Sequence, residues 1–491
     1  MGEEVTLGDI DLDTVKARSV TGVVTLVSRS FVIQIISTIG FFLLTVFLGR
    51  PEIGLFIAVN DLVSILGYFS DIGLAASLIQ KKARVTLTDL RTTFTLQQIL
   101  VVVLLSLSLS LSQFLFSYYH VSGSGTWLFY SLLTAFFLAS LKTIPSVVLE
   151  RQLQFRTLAA VEVAETIIFY LVAVVLAWQG RGVTSYAWAV ILRGLIGTSL
   201  IYYLAPWKIG LAISGDSLRT LLSFGLPYQL NTLMAVVKDR FLNIFLWKII
   251  GADGVGIIGW AQTWSQKPLR FVMDNVTKVA FPAYSRLQDH TDQLQKAVEK
   301  TLFFITLITF PIVTGFAVIA PLLVKIIPRY SKWEVALFPL ALYCLNSALA
   351  AISTPLTNLF NAVGKVKINT YLMLMWTGLT WGLTPFLALK YGFMGVAYAT
   401  AIISLSSIVP VIVARRFVRF NLLNAFGKPA IAALVMLIVS YLFSLSLKLT
   451  LTNIILNIVS SALIYSLVIY ILVGKSLLTD GLKLVNALRN R

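Results

Sequence analysis

Charge and cysteine are both scarce in this chain. Only 12% of its 491 residues are Asp, Glu, Lys or Arg, whereas soluble globular proteins carry about 25%. The single cysteine, Cys344, excludes a disulfide within the chain, and with only two histidines no metal site is expected. Neither a Gly-rich phosphate loop with Lys-Ser/Thr nor a nucleophile elbow occurs. We therefore expect no catalytic residues, no cofactor and no ATP hydrolysis.

Apolar residues make up 58% of the chain and come in long runs. A helix needs about 20 apolar residues to cross the hydrocarbon of a bilayer. The pattern predicts an all-α polytopic membrane protein with about fourteen transmembrane helices. The predicted spans are 21–48, 54–79, 94–117, 126–148, 157–178, 184–205, 222–249, 254–281, 301–325, 334–360, 368–389, 393–414, 429–448 and 452–474.

In a soluble protein, the net charge of +18 would indicate nucleic-acid binding. In a membrane protein, most of this excess is explained by the positive-inside rule, by which cytoplasmic loops are rich in Lys and Arg. Alternate loops, beginning after the second span, hold 17 Lys and Arg residues, and the other loops hold 8. This bias predicts that both termini are cytoplasmic. The polar start lacks a cleavable signal peptide, so the first span is expected to direct insertion.

An internal repeat divides the predicted spans. Gly49 and Gly54 match Gly251 and Gly256 at an offset of 202, and Pro145 matches Pro355 at an offset of 210. Spans one to six and seven to twelve are thus predicted to be two parallel copies of one unit, with the binding site between them. The predicted segments are an N-terminal stretch 1–20, an N-lobe 21–205, a linker 206–221, a C-lobe 222–418, two further spans in 419–474 and a tail 475–491.

Four charged residues share one face of the eighth predicted span. Lys267, Arg270, Asp274 and Lys278 fall within about 80° of each other at 100° per residue. A charge at mid-bilayer costs roughly 2.5–3.5 kcal/mol. The charged stripe, as we call these four residues, is therefore predicted to face a water-filled cavity, and Pro268 allows a kink beside it.

Further charges lie inside other predicted spans. Asp61 and Asp71 share a face of span two, where Asp71 could instead cap the turn at Gly73. Arg29 in span one is a candidate cavity residue, unless the span begins later and this side chain reaches the interface.

Two more groups of charges admit structural pairing. Glu162 and Glu165 are adjacent on one helical face, with Arg156 as a candidate partner and Arg193 as another. Span seven carries Lys238, Asp239 and Arg240 in succession. Neighbouring residues are 100° apart, so these three cannot share a face, and Asp239 could pair with either flanking cation.

Four segments resemble the motifs of one transporter family. Residues 48–55, Leu-Gly-Arg-Pro-Glu-Ile-Gly-Leu, resemble the "LxPxxyG" signature of polysaccharide and oligosaccharidyl-lipid flippases. Residues 69–82 resemble that family's "DxGlxxaliq" segment, and 145–159 its loop after span four. Asp239 followed by Gly251, Gly254 and Gly256 is similar to its opening of the second half.

The resemblance implies the multidrug/oligosaccharidyl-lipid/polysaccharide superfamily, with two six-helix lobes forming a V and two extra helices. It implies flipping of an undecaprenyl-pyrophosphate-linked oligosaccharide to the outer leaflet for lipopolysaccharide or exopolysaccharide synthesis. The lipid-linked oligosaccharide, membrane lipids and a polysaccharide polymerase are the expected partners, and the protein is expected to be a monomer. Alternatives are a lipid II flippase, a cation-coupled multidrug antiporter, or a non-transporting scaffold.

These implications assign roles to the charges within the spans. A cationic cavity for the pyrophosphate is predicted from Arg29, Lys267, Arg270, Arg240 and Lys278. Cavity or coupling carboxylates are predicted from Asp61, Asp71, Asp239 and Asp274. Coupling to H⁺ or Na⁺ is predicted at Asp61 or Asp239, because buried carboxylates shift their proton affinity readily.

Overall fold

The computed structural model describes residues 12–81, 84–121, 123–446 and 448–474, and these form helices joined by short turns. Residues 1–11 of the predicted segment 1–20, and all of the tail 475–491, lie outside the described residues. The helices are α1 (Leu12–Phe47), α2 (Arg50–Asp71), α3 (Leu74–Gln80), α4 (Leu87–Tyr119), α5 (Ser124–Leu141), α6 (Thr143–Arg151), α7 (Phe155–Trp178), α8 (Thr184–Leu204), α9 (Gly215–Val236), α10 (Leu242–Arg286), α11 (Thr291–Ile326), α12 (Leu337–Ala362), α13 (Val366–Tyr391), α14 (Phe393–Leu405), α15 (Ile408–Arg415), α16 (Lys428–Ser446) and α17 (Leu451–Val473).

Thirteen helical stretches among the described residues are long and apolar enough to cross a membrane. One of them, Val237–Arg286, runs for 50 residues, which at 1.5 Å per residue is about 75 Å and far exceeds a bilayer. Its backbone breaks at Gly251, where φ is 67° and ψ is 178°. This left-handed position suits glycine. The break separates the predicted seventh and eighth spans, and the polytopic helical prediction is confirmed.

Contacts divide the chain into unit 1 (Met1–Gly256) and unit 2 (Ile257–Arg491). In unit 1, α7 packs on α1 and α8, and α5 packs on α8. A separate core joins the short helices α3 and α6 to α4 and α9, with Leu74, Leu78 and Ile144 fully buried and Leu221 almost so. The predicted linker 206–221 is helical from Gly215 onward, and Leu221 ties it into unit 1. The predicted lobe boundaries, which come from the repeat, stay a prediction.

Unit 2 is built on a core formed by α10, α11, α12, α16 and α17. Val298, Leu302, Ile305 and Leu356 are buried there, together with Tyr465 of the last helix. The Tyr465 hydroxyl donates to the backbone oxygen of Leu307 at 2.9 Å. The two helices outside the predicted repeat are therefore part of the unit 2 core.

The repeat-related glycines meet each other within unit 1. A Cβ on Gly54 would lie 1.8 Å from the carbonyl oxygen of Ala252, and one on Gly256 would lie 2.0 Å from that of Arg50. Both pairs of equivalent positions, 54 with 256 and 50 with 252, are separated by the offset of 202. Such reciprocal contacts are the mark of a local two-fold axis. The Arg50 side chain binds Asp253 beside them, with Nε 3.0 Å from Oδ1.

Candidate functional site

The charged stripe lies on the part of α10 that follows Gly251. Arg270, Asp274 and Lys278 are exposed there, and Lys267 is half-buried. The opposite face of the same helix packs into the unit 2 core through Leu269, Val272, Met273 and Tyr284. The predicted common face of the four charges therefore points away from the core of unit 2.

Two side chains of the stripe are oriented by their own helix. The Arg270 Nη2 donates to the Gln266 side-chain oxygen at 3.2 Å. The Lys267 ammonium lies 5.9 Å from the Trp264 ring centroid, within the range of a cation–π interaction. An exposed guanidinium with a nearby ammonium is a suitable receptor for phosphate oxygens.

The length of the helix sets the depth of the stripe. Lys267 and Arg270 lie about 22 and 27 Å along the axis from residue 252, at 1.5 Å per residue. Asp274 and Lys278 lie about 33 and 39 Å along it. If residue 252 marks the external surface, as the loop charges predict, about 30 Å of hydrocarbon ends between Arg270 and Asp274. On that orientation Lys267 and Arg270 lie in the cytoplasmic half of the span, and Asp274 and Lys278 lie near the cytoplasmic headgroups.

Asp61 is buried within unit 1, next to the turn before α10 and the first residues of α10. Its side chain is almost fully buried and accepts hydrogen bonds from Arg240 and, at 2.7 Å, from the Asn243 amide. Arg240 belongs to a π-helical turn, Val237–Phe241, between α9 and α10. The structure thus places Arg240 in an ion pair with Asp61, whereas the sequence had grouped it with the substrate cations.

We expect Arg240→Met to lower stability, because it leaves the buried Asp61 carboxylate without its cation. Breaking a fully buried ion pair costs roughly 3–5 kcal/mol. Here the loss should be smaller, because the Arg240 side chain is 43% exposed and Asn243 still donates to Asp61. The melting temperature of the purified protein measures the effect, and the Asp61→Asn/Arg240→Met double variant should recover much of the loss. If the Arg240→Met variant keeps its melting temperature but loses export, Arg240 binds substrate, as the sequence predicts.

Two other carboxylates that were predicted to line the cavity or couple to ions have partners nearby in the chain. The Asp71 Oδ1 accepts the backbone N–H of Ala75 at 3.1 Å, so its alternative role of capping the turn at Gly73 is confirmed. Asp239 forms an ion pair with Lys238, which confirms one of its two candidate partners. Neither contact tests a role in coupling.

Arg29 and the two glutamates of α7 form part of an ion-pair cluster in unit 1. Arg29 Nη1 lies 2.9 Å from a Glu162 oxygen. Glu165 contacts Lys142, and Arg193 lies 3.5 Å from its other oxygen. Glu162 thus pairs with Arg29, whereas the sequence had offered Arg156, and the pairing of Arg193 with a glutamate is confirmed.

Sequence reasoning missed a second polar cluster near the loop after α3. The buried Asp89 carboxylate binds Lys81 at 2.7 Å and accepts the Ser217 hydroxyl at 2.8 Å. Arg151 donates to the backbone oxygens of Leu78, Ile79 and Lys81 at 2.7–3.1 Å. In the sequence, Lys81 and Arg151 contribute only to the excess of Lys and Arg that predicts the membrane orientation. The capping pattern from Thr86 to Asp89 was the available signal for a structural role.

The fold defines a polytopic membrane protein, with many apolar helices, a broken membrane helix and an exposed charged stripe. A family model described as "Polysaccharide biosynthesis protein" matches residues 22–337. The chain therefore belongs to this family, and with it to the polysaccharide flippases of the multidrug/oligosaccharidyl-lipid/polysaccharide superfamily. The resemblance inferred from the motifs is confirmed.

Individual relatives are distant. The lipopolysaccharide biosynthesis protein WzxC of Escherichia coli (strain K12) is 23% identical over 231 residues, which is 45% of each chain. An uncharacterized membrane protein in the cps region of Klebsiella pneumoniae is 22% identical over 345 residues, 67% of this chain and 70% of that protein. The lipid II flippase MurJ, in an inward closed conformation, has a TM-score of 0.73 at 16% identity over 91% of this chain and 98% of MurJ. This last similarity shows the fold alone.

Proposed function

We propose that this protein flips an undecaprenyl-pyrophosphate-linked oligosaccharide from the inner to the outer leaflet by alternating access. The charged stripe of α10 supports this proposal most directly. Its exposed side chains lie on a membrane helix, on the face opposite the unit 2 core. Lipid does not solvate such charges, whereas an aqueous cavity does.

The chemistry of the stripe suits a pyrophosphate. A guanidinium offers forked donors to phosphate oxygens, and an ammonium offers a point charge. A position in the cytoplasmic half would let Lys267 and Arg270 meet the headgroup as it leaves the inner leaflet, while the lipid tail stays in hydrocarbon. Arg29 of unit 1 is proposed separately as a phosphate-binding residue, and it would have to share its Glu162 partner.

Two other transport functions remain to be distinguished. A lipid II-type flippase would use the same pyrophosphate chemistry with another sugar, and the MurJ-like fold is compatible with it. A cation-coupled multidrug antiporter would need an anionic cavity, which the basic residues of the stripe disfavour. Glycan export by variants that lack these charges is the experiment that tests the proposal.

We further propose that the protein lies in the plasma membrane of a prokaryote with both termini in the cytoplasm. We also propose that it is a monomer and that it passes its product to a polysaccharide polymerase. The excess of Lys and Arg in alternate loops supports this orientation. External labelling of an Arg416→Cys variant by a membrane-impermeant maleimide would contradict it. Because the native Cys344 is buried, it should contribute little background labelling by the maleimide.

Ion coupling is proposed at Asp61 or Asp239. Asp61 is the buried one of the two, so its protonation would release Arg240 and Asn243. Asp239 lies on the surface of the π-helical turn. We expect one of the two Asp→Asn variants to lose the dependence of flipping on an imposed H⁺ or Na⁺ gradient. Unchanged dependence in both would exclude coupling at these carboxylates.

A further inference from the structure

A cavity of about 460 Å³ lies within unit 1, at one end of its helices. It is lined by the start of α2, the end of α4, the turn before α8 and the chain on either side of Gly251. Its volume falls in the range of about 300–1,000 Å³ that is typical of small-molecule sites. All four segments belong to turns that the loop charges predict to be outside the cell, and the charged stripe is no part of the lining.

One acidic and two basic side chains line this cavity, and two of these three are held by specific contacts. The Glu52 carboxylate accepts the backbone N–H of Gly49. The Lys248 ammonium donates to the backbone oxygen of Tyr118 at 2.6 Å and lies 4.2 Å from that ring's centroid. His120 caps the end of α4 with an exposed side chain. The cavity therefore offers a fixed acceptor, a fixed cation and an imidazole that can donate or accept.

The remaining wall is apolar and aromatic. Tyr119 stacks on the buried Trp247, with ring centroids 4.4 Å apart and planes inclined by 15°, and Leu55 and Val183 add aliphatic surface. A ligand that fits this cavity has hydroxyl donors for Glu52, oxygen acceptors for Lys248 and His120, and C–H surface for the rings. A sugar ring has all three, whereas a phosphate dianion would be repelled by Glu52.

We infer that this cavity binds a sugar residue of the translocated glycan on the external side of the membrane. It is a second site, distinct from the proposed pyrophosphate site on α10. The identity of its natural ligand rests on the proposed function, because only a flipped glycan would bring sugars to this surface. Its capacity to bind sugar does not depend on flipping and can be measured alone.

The experiment is saturation-transfer NMR on the full chain in lipid nanodiscs, with methyl β-glucoside and methyl β-galactoside as separate probes. Nanodiscs are needed because maltoside detergents would themselves supply sugar to the site. The test variants are Lys248→Met, which keeps the aliphatic stem, and His120→Gly, which suits the left-handed backbone at that residue, where φ is 54°. The matched control is Lys390→Met, whose ammonium also lies over a tyrosine ring, that of Tyr391.

We expect at least one of the two sugars to bind the wild type. Lys248→Met should bind it about tenfold more weakly, the size expected for losing one charged hydrogen bond, and His120→Gly about two- to tenfold more weakly, as expected for a neutral one. The Lys390→Met control should bind as the wild type does. Absence of saturation transfer from both sugars in the wild type, or equal binding by the test variants, would overturn the inference. Lys267→Ala should keep external sugar binding even where export is lost, so this site and the flippase proposal can fail separately.

Discussion

Alanine at Lys267 or Arg270 is expected to lower glycan export by roughly one to two orders of magnitude while the protein stays folded. A hydrogen bond to a charged group contributes roughly 1.5–3 kcal/mol, and each 1.4 kcal/mol is a factor of ten. Arg270 is exposed and Lys267 is half-buried, so neither truncation opens a hole in the unit 2 core. Export in cells and the melting temperature of the purified variants are to be measured together.

Two variants make this result specific. Arg270→Lys should keep part of the activity, because an ammonium still binds phosphate but loses the forked geometry. Lys367→Ala removes an exposed charge from the start of α13 and should export normally. Normal export by both alanine variants would reject the cationic cavity and restore the antiporter alternative. Lost expression of the two variants would indicate a structural role for the stripe.

Side chains at the reciprocal glycine contact are expected to destabilise unit 1. Gly54→Ala would place a methyl group 1.8 Å from the Ala252 carbonyl oxygen, and Gly256→Ala would place one 2.0 Å from that of Arg50. Both neighbours are backbone atoms, which cannot rotate away as a side chain can. Overpacking of this kind costs roughly 1–3 kcal/mol, and more where nothing can shift. We expect reduced expression and a lower melting temperature for each variant.

Gly378 in α13 provides the matched control. A Cβ there meets no atom within 4 Å, so Gly378→Ala should be neutral or stabilise the helix by about 0.5–1 kcal/mol. A Gly54→Ala or Gly256→Ala protein that melts as the wild type does would show that the two backbones do not approach as closely as this structure indicates. Valine at the same positions should amplify the effect.

The charged stripe shows how far helical periodicity reaches. Because one residue advances 100° around a helix, the spacing of Lys267, Arg270, Asp274 and Lys278 was enough to place them on one face. The sequence also placed the helix break between residues 249 and 254, close to the break at Gly251. It could not show that the opposite face packs into the unit 2 core.

The ion pairs show where sequence reasoning ends. Asp61 pairs with Arg240, 179 positions away, and Arg29 pairs with Glu162. A sequence shows which side chains need partners but not which helices will be neighbours. The π-helical turn that carries Arg240 also departs from the 100° spacing of an α-helix, and no pattern in the sequence indicates that turn.

The sequence by itself determined the polytopic helical class and the family motifs, because apolar run length, charge scarcity and motif spacing are properties of the chain alone. Only the tertiary structure brought Gly54 and Gly256 together and assembled the cavity beside them. That cavity needs four separate turns, and no local pattern encodes their proximity. The packing of helices decides it, through contacts between residues that are far apart in the chain.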